Sequence, residues 1–123
     1  MLYAMLCYND EDEVFAWSQA HNDSVMEKLH RVQEGLIAKG KLGPVARLMP
    51  TSSATTLRKQ SDPPLVLDGP FAETKEQLLG FYILDCDNLD EALDIARELA
   101  AANPGGAFEI RPLLLFNDNR LGK

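Results

Sequence analysis

Leu2-Tyr3-Ala4-Met5-Leu6-Cys7-Tyr8 is apolar or aromatic at odd and even positions alike. Successive side chains of a strand point to opposite faces, so this segment reads as a strand covered from both sides. Residues 80–85, with Phe81, Tyr82, Ile83 and Leu84, repeat the pattern and predict a second core strand. Elsewhere the apolar period lengthens to three or four. Val25, Met26, Leu29, Val32, Leu36 and Ile37 predict a helix from Ser24, where Ser24-Val-Met-Glu27 fits a capping box, with Gly40 as its stop. Leu89, Ala92, Leu93, Ala96, Leu99 and Ala100 predict another, capped by Asn88 with Glu91 and ended by Asn103-Pro104-Gly105-Gly106. Residues 45–49 make a strand closed by Pro50. Residues 107–116 make the last strand, with Phe108, Ile110, Pro112, Leu114 and Phe116 facing one way and Glu109 and Arg111 the other.

The order is strand-helix-strand, an insertion, then strand-helix-strand, which predicts an α+β domain with the ferredoxin-like split β-α-β pattern. The insertion, with short strand candidates at residues 54–59 and 65–67 around Ser61-Asp62-Pro63-Pro64, reads as a hairpin. Two helices cover one face of a four-stranded sheet, yet the first and third core strands are apolar on both. A second copy is the simplest cover, so a homodimer with C2 symmetry is expected. The two core strands are antiparallel neighbours in this arrangement, which puts Cys7 and Cys86, both near C-terminal strand ends, at opposite edges of the sheet and excludes a bridge between them.

With 123 residues the chain holds one domain, residues 1–123. Surface scaling gives roughly 6,600 Å² for a compact protomer of this mass against about 20,000 Å² unfolded, which is room for an adequate core. Twelve basic against nineteen acidic residues give a net charge of −7, which disfavours direct nucleic-acid contact and anionic membranes. The opening apolar run is too short for a signal segment and no window is long enough to span a bilayer, so a cytoplasmic location is expected. No phosphate loop, His-Glu-x-x-His, Gly-x-Ser-x-Gly or metal-spaced Cys and His cluster occurs, so neither a cofactor nor a metal is expected. The acidic residues 10–13 read as a solvated turn.

The most distinctive run is Leu67-Asp68-Gly69-Pro70-Phe71-Ala72-Glu73-Thr74-Lys75-Glu76-Gln77, followed by Leu78-Leu79-Gly80-Phe81-Tyr82. It resembles the DGPF signature of the YCII-related proteins. The likeness extends through the Met-Leu-Tyr opening, Ala54-Thr-Thr-Leu-Arg58, Asn88-Leu-Asp-Glu-Ala92 and Glu109-Ile-Arg-Pro112. It implies a dimeric α/β barrel, in agreement with the count of uncovered faces.

Asp68-Gly69-Pro70 is a stiff turn: Gly69 tolerates unusual dihedrals, Pro70 fixes its own φ, and Asp68 can accept bonds from nearby amides. One reading is purely structural. The other holds the Asp68 carboxylate beside a cleft, with Phe71 as an apolar wall and Glu73 or Lys75 nearby, as a general base or a ligand anchor. Glu73-Thr74-Lys75-Glu76 reads equally as a solvated turn of helix. The family resemblance implies a His–Asp pair with the histidine on the first helix. His30 falls in that region, one residue off the family spacing counted from Gly40, and His21 lies further away beside Asn22 and Asp23. Tyr8 is the tyrosine best placed to face a cleft. Arg111, on an otherwise apolar strand, needs a carboxylate or a ligand anion, and Glu109 stands on the same face.

The expected function is a small-molecule protein. Its ligand, a small polar or aromatic molecule, would be bound by Tyr8, Gly69, Pro70, Phe71, Glu73, Lys75 or Arg111. Any chemistry would be cofactor-free acid-base catalysis by Asp68, His30 or His21. The alternative is a regulatory interaction module, since the resemblance also implies a link to extracytoplasmic-function sigma factors.

Overall fold

The computed structural model describes residues 1–119. β1 (Leu2–Asn9) leads through a short helix α1 (Glu11–Phe15) into the long helix α2 (Gln19–Ala38) and then β2 (Leu42–Arg47). A hairpin of β3 (Thr55–Arg58) and β4 (Leu65–Asp68) follows. β5 (Gln77–Asp85), α3 (Leu89–Ala102) and β6 (Ala107–Pro112) complete the domain. The main sheet is antiparallel in the order β2-β5-β1-β6, and β3 with β4 form a separate two-stranded sheet. The fold is mixed α+β, as expected.

The two doubly apolar segments are the two central strands, paired from Leu2 opposite Asp85 to Asn9 opposite Gln77 with a bulge between Cys7 and Tyr8. Each has neighbours on both edges and packs one face on the helices, and apolar residues at every position give it a second apolar face as well. One face carries Tyr3, Met5, Tyr82 and Leu84 into the main core with Val25, Leu29 and Leu36 of α2 and Ile95, Ala96 and Leu99 of α3. Phe108 and Ile110 of β6 pack on that cluster, as their alternation predicts. The opposite face presents Ala4, Leu6, Phe81 and Ile83. Ile83 is only 7% exposed, yet it stands outside the main core cluster.

Local signals set several boundaries as anticipated. Gly40 takes φ +70°, and bonds from Gly40 N to Ile37 O and from Lys41 N to Leu36 O make a Schellman stop for α2. Asn88 Oδ1 accepts from Glu91 N at 2.9 Å, and Glu91 in return accepts from Asp87 N and Lys41 Nζ. These bonds hold the Glu91 carboxyl below its usual range, the Asp87 amide contributing most.

Other boundaries differ from expectation. The cap of the first long helix is Ser18, whose Oγ accepts from His21 N at 3.1 Å, and Ser24 lies inside the helix. Its leading turns face solvent and carry no apolar stripe, so periodicity could not see them. The acidic residues 10–13 are not merely a solvated turn: Asp10 caps α1, which buries Val14. Residues 73–76 form no helix. β6 ends at Pro112, opposite Tyr3, because β1 starts at Leu2 and offers Leu114 and Phe116 no partner.

Candidate functional site

The turn at Asp68-Gly69-Pro70 is as stiff as its residues imply. Gly69 adopts φ +108°, its N–H donates to Ala54 O at 2.8 Å, and its carbonyl accepts from Thr56 Oγ1 at 2.8 Å. These bonds tie the start of β3 to the end of β4, opposite each other in the hairpin. Asp68 itself is exposed and makes no side-chain hydrogen bond or ion pair among the described residues. Phe71 is 72% exposed, and the Arg58 guanidinium stands 4.9 Å from its ring centre. Pro70 and Glu73 border a shallow concavity of about 250 Å³ with Thr51, Ala72, Thr74 and Gln77. Lys75 is exposed outside it.

The remaining candidates are dispersed. His30 Nε2 meets Glu34 one helical turn on at 2.9 Å, on the exposed side of α2. The His21 ring lies edge-on to Trp17, centroids 4.7 Å apart. Arg111 pairs with Glu109 across one strand position, the structural alternative given for it, with most of its side chain in solvent. Among the described residues no histidine pairs with Asp68.

Tyr8 does border a cavity. Between α2 and the sheet, beside the ends of β1 and β2, lies a space of about 300 Å³. Its walls include Trp17, Leu29, Tyr82 and Phe108, with Gln33, Asn103 and Cys7 as polar groups and Met26 and Arg47 also lining it. Two glycines allow its walls to close. A Cβ on Gly80 would stand 2.3 Å from Ala46 O, so a bare backbone is needed where β5 passes β2. A Cβ on Gly106 would stand 2.1 Å from Tyr8 O, so only glycine lets the turn after α3 pass the end of β1.

The Cys7 thiol and the Tyr82 phenol in the cavity are held neutral. Burial pushes the Cys7 thiol up to about 11 from 9.0, and among the described residues its sulfur has only Met5 O at 3.8 Å as a partner. Burial also raises Tyr82, against the opposing hydrogen bond that its hydroxyl accepts from Gln33 Nε2 at 3.4 Å. Asn103 Oδ1 is buried with no partner among the described residues, an acceptor left open beside the cavity. The cavity has apolar walls and sparse polar groups, without a thiolate for nucleophilic work.

Cys7 is expected to resist alkylation at pH 8 and to become reactive only as pH approaches 11. A thiol whose folded pKa exceeds its unfolded one favours the native state below the unfolded value. That contribution is lost as pH rises from about 9 to about 11, which thermal melts of wild type and Cys7→Ala across this window would read.

Of the cavity's residues, the sequence pointed to Tyr8. It missed Gln33, Arg47 and Asn103, which come from three separate elements and share no local motif.

Two comparisons bear on this geometry. Residues 1–117 match the profile of the YCII-related domain. An uncharacterized protein of Rhizobium meliloti (strain 1021) is 57% identical over 122 residues, which cover 98% of each chain.

Proposed function

This chain belongs to the YCII-related family, and from that premise we propose that it is a homodimer binding a small, largely apolar or aromatic molecule in the cavity between α2 and the sheet. The observation that carries the reading is the cavity itself: about 300 Å³, bordered by Tyr8, Trp17, Tyr82 and Phe108, with an unsatisfied amide oxygen at its edge.

The dimer rests on area. One protomer exposes 8822 Å², about a third more than the roughly 6,600 Å² that a compact chain of its mass presents. The excess, on the order of 2,000 Å² per protomer, is within the range that obligate homodimers bury. Leu57, Leu65, Val66 and Leu67 of the hairpin are all exposed, and an isolated two-stranded hairpin is marginal in water. The order β2-β5-β1-β6, with both long helices on one face, supports the ferredoxin-like split β-α-β reading. Closing two such sheets face to face gives the dimeric barrel.

Neutral Cys7 and Tyr82 favour binding over nucleophilic chemistry. An acid-base role for Asp68 with His21 or His30 depends on a second copy bringing them together. The alternative of an interaction module, including a sigma-factor-linked one, draws on the same exposed hairpin and gains if those leucines stay exposed in the dimer.

A thermal-shift screen of wild type beside Met26→Trp tests the binding reading. Met26 is 37% exposed at the cavity, so the indole blocks the space while leaving the core intact. A ligand at a hundred times its dissociation constant stabilises by about 2.7 kcal/mol, roughly 10 °C in a domain of this size. Hits are expected to lose that shift in the variant. Hits that shift both proteins equally would place binding elsewhere.

A further inference from the structure

Arg47 sets the charge of this cavity. The chain has nineteen acidic residues against twelve basic ones, and Arg31, Arg97 and Arg111 each hold a carboxylate. The Arg47 guanidinium has no such partner among the described residues. Its neighbours are soft: Nη1 meets Met26 Sδ at 3.7 Å, and the Phe15 ring centre lies 5.8 Å away. Arg58 also stacks on a ring without a carboxylate, but on the exposed hairpin, where it lines neither cavity. A guanidinium carries five N–H donors in a planar fork, and a thioether satisfies one of them weakly. Among the described residues no Asp or Glu lines the cavity, and the one formal charge they bring to it is positive.

We propose that this cavity selects a small carboxylic acid with one aromatic or alicyclic ring, its ring among Trp17, Leu29, Tyr82 and Phe108 and its carboxylate on the Arg47 fork. The inference rests on the cavity being a ligand site. Three observations set the class. The apolar walls take the ring. A volume of about 300 Å³, at the lower end for ligand pockets, limits the body to a single ring. A lone guanidinium matches a carboxylate in charge and in two-pronged geometry, whereas a phosphate dianion would keep half its charge unmatched. The net charge of −7 slows the approach of any anion, so selectivity comes from local contacts and not from long-range steering.

Trp17 is the chain's one tryptophan and lines the cavity, so its emission reports occupancy directly. Benzoate, its neutral isostere benzamide and the cationic benzylamine are titrated against wild type and Arg47→Gln, whose exposed position should leave the fold intact, with circular dichroism as the check. Benzoate is expected to change Trp17 emission saturably. Benzamide should bind about tenfold or more weakly, benzylamine should not bind, and Arg47→Gln should erase the preference for benzoate. Equal binding of benzamide and benzoate, or undiminished benzoate binding by Arg47→Gln, overturns the selectivity while leaving the cavity a ligand site. If none of the three saturates, the proposal also fails, and the screen against Met26→Trp separately decides whether the cavity takes any ligand.

Discussion

Gly106→Ala is expected to destabilise the fold by about 3 kcal/mol or more and to lower the melting temperature by roughly 10 °C or more. Two costs combine. Gly106 sits at φ +73°, where an L side chain is strained, and the added Cβ would stand 2.1 Å from Tyr8 O and 3.0 Å from Asn9. The obstructing atom is backbone in a central strand paired on both edges, so it cannot turn aside like a flexible side chain. Gly40→Ala supplies the control: its φ is nearly the same, +70°, with nothing within 4 Å of the new Cβ. That variant should lose only about 1 kcal/mol. The difference between the two isolates the steric clash. Because Tyr8, Asn9, Asn103 and Gly105 all border the cavity beside this turn, Gly106→Ala should also weaken any ligand that occupies it. A melting temperature within about 3 °C of wild type would show that the turn is free to move away from β1.

Leu6→Glu is expected to convert the proposed dimer into protomers, raising its dissociation constant by at least about a hundredfold. Leu6 pairs with Phe81 on one side and Glu109 on the other, on the sheet face away from both long helices. A carboxylate there adds a like charge beside Glu109 and, in an interface with two-fold symmetry, is introduced twice. The main core lies on the opposite face, so helix content and the Tyr82 environment should persist. Sedimentation velocity of wild type and variant at micromolar concentration reads the outcome. A wild type that sediments as a single protomer, or a variant that associates as tightly as wild type, would end the face-to-face reading.

The parts legible from residue order share a short range. Apolar residues at consecutive positions marked β1 and β5 as central strands, and the three-to-four period marked α2 and α3. The Asn88 cap, the Gly40 stop and the Gly69 turn were readable because each is decided by the backbone a few residues either way. The misses share a cause too. The first turns of α2 face water, so nothing apolar announced them. The run to Phe116 overreached because alternation continues past the point opposite the first residues of β1.

The candidate site separates the two kinds of information more sharply. Asp68, Gly69 and Pro70 promised a rigid turn, and local bonding delivers one. Where its carboxylate points depended on how the hairpin stands against the main sheet, and Asp68 faces solvent. Residue order was therefore enough for the composition of the elements, their sequence and the stiffness of their turns, since those preferences act within about one turn of chain. Which side chains share a cavity was settled by packing α2 across the sheet, through contacts such as Gln33 to Tyr82, 49 positions apart. Pairings at that range are chosen by burial and shape across the whole core, and no local pattern records them.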